Sequence, residues 1–390
     1  MKRRAILSML PAAALPVAAM CSPRIPMPKP QPQSDFKGVV NAGDYPTLQA
    51  AADAAFGTLA SPHGTANNLL NKELVIPNER IWMPPFSGAP VLDLRYLHGG
   101  VIRGVGQFAT RLRQNVAGVP VIRTNGCGYS VFENFLLEGS PESAVLDLNW
   151  DGTAGGPALQ SNKFRNILFL NGSFGVNIAT GGFMGSENSF TDCYWQSQTV
   201  AGFMNSGFNA LQQSIRGGNF QNCARAIWVA VGSVNVIDGV GFQLSQDCDI
   251  LTSGSANNAM HVKGCRTEST NFIHNDGSHA LTVESCDQWG SAPGDFVTSS
   301  GGLATLKSVY SKTGRCKASA WAEFSIENGN FHRTDFMDAS GLGDFGSYKG
   351  LVDLRNVFYD EAGGWKQVRA QRWEPTSSGI QKSEAVFQVL

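Results

Sequence analysis

The chain has 390 residues with 30 basic and 31 acidic side chains, a net charge of -1, and 42% of it is hydrophobic. That excludes a disordered chain, which has few apolar residues and a large charge excess. It also argues against a nucleic-acid partner, because no basic excess is available to neutralise phosphates.

In chain order, residues 1–21 read as an export signal. Arg3-Arg4 precedes an apolar run from Ala5 to Ala19, the order of a charged and then a hydrophobic leader region. The string Arg3-Arg4-Ala5-Ile6-Leu7 is similar to a twin-arginine signal, and the expected location is periplasmic or extracellular. No later run approaches the ~20 apolar residues that span a bilayer. Residues 22–35 carry Pro23, Pro26, Pro28, Pro30 and Pro32, which predicts an extended linker. A capping helix is expected next, with Asp44 as N-cap and Pro46 in the first turn. Leu48, Ala51, Ala52, Ala55 and Phe56 make its apolar face.

From residue 102 one short motif recurs: an apolar residue, any residue, a small polar residue or Gly, then usually an apolar residue or Cys. It reads Ile102-Arg103-Gly104-Val105, Phe132-Glu133-Asn134-Phe135, Phe164-Arg165-Asn166-Ile167 and Phe190-Thr191-Asp192-Cys193. Later copies include Ile237-Asp238-Gly239-Val240, Val262-Lys263-Gly264-Cys265, Val283-Glu284-Ser285-Cys286, Ile326-Glu327-Asn328-Gly329 and Leu354-Arg355-Asn356-Val357. Copies separated by about twenty to thirty residues, without helical periodicity, mean a solenoid of short strands. The third residue sits where the chain bends and needs left-handed backbone angles, which Asn, Asp and Gly tolerate. The fold class is therefore all-β: a single-stranded right-handed parallel β-helix of about 11 coils over residues 36–360, with an N-terminal helix cap. Residues 361–390 lose the repeat and are expected to cover the other end.

The order of capping helix, Leu74-Val75-Ile76-Pro77, Ile102-Arg103-Gly104-Val105-Gly106 and repeated coils resembles the pectate-lyase-like right-handed parallel β-helix superfamily. Its first part is similar to the segment that opens many phage tailspikes. The resemblance implies a polysaccharide or oligosaccharide partner, with cleavage or modification by a lyase or glycoside hydrolase. The rival it implies is a non-catalytic binding or tailspike-like module, assembled as a homotrimer. Polygalacturonase-type hydrolases carry D-D and G-H-G motifs, and neither occurs here. Fold alone does not fix activity.

Gly104-Val105-Gly106-Gln107-Phe108-Ala109 fits a loose dinucleotide pattern, but an alternating segment follows it, not a helix. No H-E-x-x-H or H-x-H pair points to a zinc hydrolase, and none of the eight cysteines forms a C-x-x-C pair, so zinc is not expected. Asp247 and Asp249, two residues apart, are placed on one face of a strand, which suits a hard cation such as Ca2+. The face after the longest turn is read with Val176, Phe203, Ile227, Ile250, Phe272 and Phe296 inward. Strict alternation then sends Trp228, Asp249, Leu251, Asn271, Ile273 and Asp295 outward. Asp249 and Asp295 become an acid–base pair about 9.6 Å apart. Arg225 is the cationic base of a lyase reading, and Trp228 and Asn271 are the sugar contacts. Cys193, Cys265 and Cys286 are read as an inward, reduced sulfur stack.

Overall fold

A computed structural model describes residues 38–58, 61–62, 72–152, 158–179, 184–253, 259–276, 280–343, 350–361, 364–376 and 379–388. The export signal and the Pro-rich linker lie outside the described residues. Nearly every strand pairs in parallel with strands one coil away, in a 23-stranded and an 11-stranded sheet. The chain winds as a right-handed parallel β-helix, the hand that parallel crossovers take.

The repeat motif sets the register. Phe132 pairs with Phe164 and Phe164 with Phe190. Further along, Ile237 pairs with Val262, Val262 with Val283, and Val283 with Leu306. These like-with-like rows fill the interior and are at most 1% exposed. The bend residues share the left-handed region: Asn134 φ 65°, Asn166 φ 50°, Asp192 φ 51°, Gly239 φ 65°, Asn328 φ 58° and Asn356 φ 54°. Asn166 Nδ2 donates to Asn134 Oδ1 at 2.9 Å, and Asn356 Nδ2 to Asn328 Oδ1 at 2.5 Å. These amides run along one outer edge, half-buried or exposed. The seven described cysteines are free and buried, with Cys265 N donating to Cys286 Sγ at 3.4 Å.

The capping helix spans Leu48–Phe56 with the expected five residues buried. Its N-cap is Thr47, whose hydroxyl accepts from Ala50 N at 3.1 Å; Asp44 instead belongs to a 3-10 turn, Ala42–Asp44. Thr47 wins because its extended backbone (φ -134°, ψ 155°) aims the hydroxyl at the first helical amides. At the far end, Leu351–Glu361 pairs antiparallel with Gly364–Thr376, which pairs with Gly379–Gln388. Val368 of this antiparallel unit is 2% exposed in the core.

Aromatic packing alternates between two walls. Trp195 stacks on Phe220 at 4.1 Å and Phe220 on Phe242 at 5.6 Å. Opposite them the strand corners carry Gly175, Gly202 and Ala226. A Cβ on Gly175 would stand 2.5 Å from Trp195 Cδ1, and one on Gly202 2.6 Å from Phe220 Cδ1. In the following coils the first wall turns small and polar, as Phe242 pairs with Thr267 and Gln288 pairs with Ser311. The rings then come from the second wall, where Phe272 and Phe296 lie 5.5 Å apart. Large rings on one wall thus face small residues on the other, as close packing requires.

Candidate functional site

The outer face of the 11-stranded sheet carries one in-register row along the coils. Asp93 pairs with Arg123, Arg123 with Asp147 and Asp147 with Asn177. The row continues through Met204, Trp228, Leu251, His274 and Thr298 to Lys317. It is charged at both ends and apolar in the middle.

Two residues of the site reading face differently from the sequence expectation. Asp249 does not point outward. It is fully buried, accepting from Thr267 Oγ1 at 2.5 Å and Ser269 Oγ at 2.7 Å. Burial pushes its carboxyl up to about 7, against the pull of hydrogen bonds from Ser245, Thr267 and Ser269. Strict alternation fails here because the chain leaves a bend, and two successive side chains, Asp249 and Ile250, both enter the core. The expected calcium pair is therefore overturned: Asp247 is exposed while Asp249 is interior. The Asp249–Asp295 acid–base pair falls for the same reason. Register also slips by one residue in the later coils. Ile250 pairs with Ile273, and Ile273 with Val297. Ile273 therefore faces inward, with Phe272 and Phe296 packed behind it at the corner.

The remaining expected residues do lie on the outer face. Arg225 bonds Asp247 Oδ2 at 2.7 Å and sits 5.0 Å from the Trp228 ring centre. Trp228 donates through Nε1 to Ser253 Oγ at 3.0 Å. Asn271 donates to the Asp247 carbonyl at 2.9 Å and accepts from Asp295 N at 3.0 Å. Asp295 pairs with Lys317 at 2.8 Å and Arg315 at 3.3 Å. Sequence reasoning missed these two cations and wrongly took an R-x-K pattern to be absent, although Arg315-Cys316-Lys317 is one and alternates along its strand.

It also missed the cluster at the N-terminal end. Arg123 contacts Asp93 at 2.6 Å and Arg95 contacts it at 3.1 Å. Burial raises the Asp93 carboxyl, but bonds from Arg123 and Arg95 and their charges outweigh it and hold the group below its usual value. Asp147 moves the other way. Burial raises it, and the Asn177 amide at 3.1 Å and the Arg123 charge only partly offset that. A cavity of about 440 Å³ opens beside Asp93 and Arg123, between the capping helix and the first coils, lined also by Gln49, Asp53, Phe86 and Arg95. Outward charges in Leu92-Asp93-Leu94-Arg95, Ile122-Arg123-Thr124-Asn125 and Leu146-Asp147-Leu148-Asn149 were the available signal.

No family model and no curated protein matches the chain. Among solved structures it is similar to the catalytic unit of a GH87 alpha-1,3-glucanase from Streptomyces thermodiastaticus. The two share 14% identity with a TM-score of 0.49, over 84% of this chain and 68% of that one. It is also similar to the A-module of a mannuronan C-5 epimerase from Azotobacter vinelandii (11% identity, TM-score 0.42, 83% and 99% covered). A third likeness is the Dettilon tailspike protein (11% identity, TM-score 0.44, 90% and 78% covered). The parallel ladders establish the architecture on their own: the chain is a right-handed parallel β-helix.

Proposed function

We propose that the chain is an exported carbohydrate-active protein. An extended polysaccharide lies along the outer face of the 11-stranded sheet and is cleaved near Asp93, Arg123 and Asp147. The observation that carries this reading is the pair of carboxyls that flank Arg123 in one outward row and are displaced in opposite directions, with Asp93 and Arg123 lining an open cavity. Environments that push two carboxyls apart separate acid from base. Asp147, whose carboxyl burial raises, takes the acid role and donates to the leaving oxygen, and Asp93, held low by Arg123 and Arg95, takes the base role and activates water. Two strand spacings separate their strands by about 9.6 Å, just beyond the ~6.5–9.5 Å used for inversion. Arg123 neutralises an acidic sugar, and Trp228 offers a face for a ring further along the row.

The test is incubation with a panel of acidic and neutral polysaccharides, following reducing ends and unsaturated products. Asp147→Asn is expected to lower turnover by about 100-fold or more with binding kept. A non-catalytic binding or tailspike-like module is the second reading. It is favoured by the 2.6 Å Arg123–Asp93 contact, which fills the interval where an attacking water must stand. Binding of a polysaccharide without any product would establish that reading and sink the first.

A further inference from the structure

Halfway along the same outer face, three potential metal ligands meet. A carboxylate oxygen of Asp247, the sulfur of Cys248 and a ring nitrogen of His274 all lie within 4.8 Å of one another. Two of them are consecutive in sequence; the third arrives one coil later. We propose that Asp247, Cys248 and His274 form a binding site for a divalent cation of the zinc class.

The donor set selects the ion. One sulfur, one nitrogen and one oxygen suit Zn2+, whereas Ca2+ takes oxygen ligands only. Bonds of about 2.0–2.3 Å from a single ion reach all three atoms after small side-chain rotations. Two further features mark the site as incomplete without an ion. His274 Nε2 is shut off from solvent and has no hydrogen-bond partner, a costly state for a polar atom. Both Arg225 contacts to Asp247 fall on Oδ2, which leaves Oδ1 for the cation. The Cys248 sulfur is buried, and a metal takes a cysteine as its thiolate. Binding therefore exchanges one proton for the ion: the S–H bond breaks, the S–metal bond forms, and the proton leaves to solvent. Asp247 stays 45% exposed at its side chain, so a fourth position opens toward the groove, as in zinc sites with three protein ligands. Sequence spacing gave no warning, because these ligands follow no zinc-finger pattern and only coil stacking brings them together.

The experiment uses the full chain, stripped with a chelator and titrated with Zn2+ against a chromophoric competitor, with no polysaccharide present. Its result is thus independent of the proposed activity. One zinc per chain is expected, with one proton released from the thiol. Cys248→Ser and His274→Gln should each weaken binding by about 100-fold or more. His261→Gln, an exposed histidine that pairs with Glu284, should leave binding unchanged. Substitution with Co2+ should give sulfur-to-cobalt charge-transfer absorption, lost in Cys248→Ser. If Cys248→Ser does not fold, His274→Gln and the cobalt spectrum of the unaltered chain decide. The absence of stoichiometric zinc, equal binding in the ligand variants, or a cobalt spectrum without the sulfur band would each overturn the site.

Discussion

Left-handed backbone angles recur at the third residue of the repeat, and the side chains there differ in what they contribute. Asn166, at φ 50°, bonds Asn134 of the preceding coil. Because this edge is half-buried, water partly replaces a lost amide bond, and backbone strain is the larger part of the penalty. Asn166→Leu should cost about 1–2 kcal/mol in urea unfolding. Asn166→Gly, which tolerates the angle, should cost less than the Leu change, and Lys312→Gln no more than about 0.5 kcal/mol. An Asn166→Leu cost no larger than that of Lys312→Gln would show that the bend is not strained.

Asp249 provides a pH prediction of defined sign. Its folded carboxyl titrates near 7, well above an unfolded aspartate near 4. The folded state therefore binds more protons between those values, and the stability due to this group falls as pH rises through that window. It is fully present below about pH 4 and lost above about pH 7. In chelator-treated protein, Asp249→Asn should flatten the decline, measured as the urea midpoint across that range. An unchanged pH slope in the variant would mean that Asp249 does not titrate there.

Among the elements, strand corners and aromatic rows depend on each other. Gly202 lets the Phe220 ring lie against the second wall, and its would-be Cβ also meets the Ala226 carbonyl at 2.8 Å. A backbone atom cannot rotate away, so the ring or the coil spacing must give. Gly202→Ala should destabilise by about 1–3 kcal/mol with little change in secondary structure by circular dichroism. Neutral behaviour would mean that the corner is looser than the packing implies. The same logic explains why the inward polar run of Thr267, Gln288 and Ser311 is tolerated. Ser311 Oγ donates to Gln288 Oε1 at 2.8 Å, and Gln288 Nε2 donates to the Thr270 carbonyl at 2.8 Å. Buried polar groups persist where such partners are complete.

Over the whole molecule, stability comes from stacking rather than covalent cross-links. All seven described cysteines are free, and burial raises the Cys127 and Cys193 thiols to about 12, which leaves them unreactive. The thermal midpoint should therefore not move on adding a reductant, and intact mass before and after reduction should agree. A two-dalton loss in the unreduced protein, mapped to Cys265 and Cys286, would contradict this.

The sequence by itself determined the coil repeat, the bend residues, the inward ladders and the apolar face of the capping helix. Each follows from a local demand: a left-handed angle at the bend, alternation along a strand, a helical stripe. Only the tertiary structure decided which way Asp249 turns, because alternation breaks where the chain leaves a bend and an interior polar pocket from Thr267 and Ser269 receives the side chain. It alone decided the partners of Asp93 and Asp147 and brought His274 to Asp247 and Cys248. Those contacts join residues a coil apart, and a one-residue slip in register sends a side chain to the opposite face.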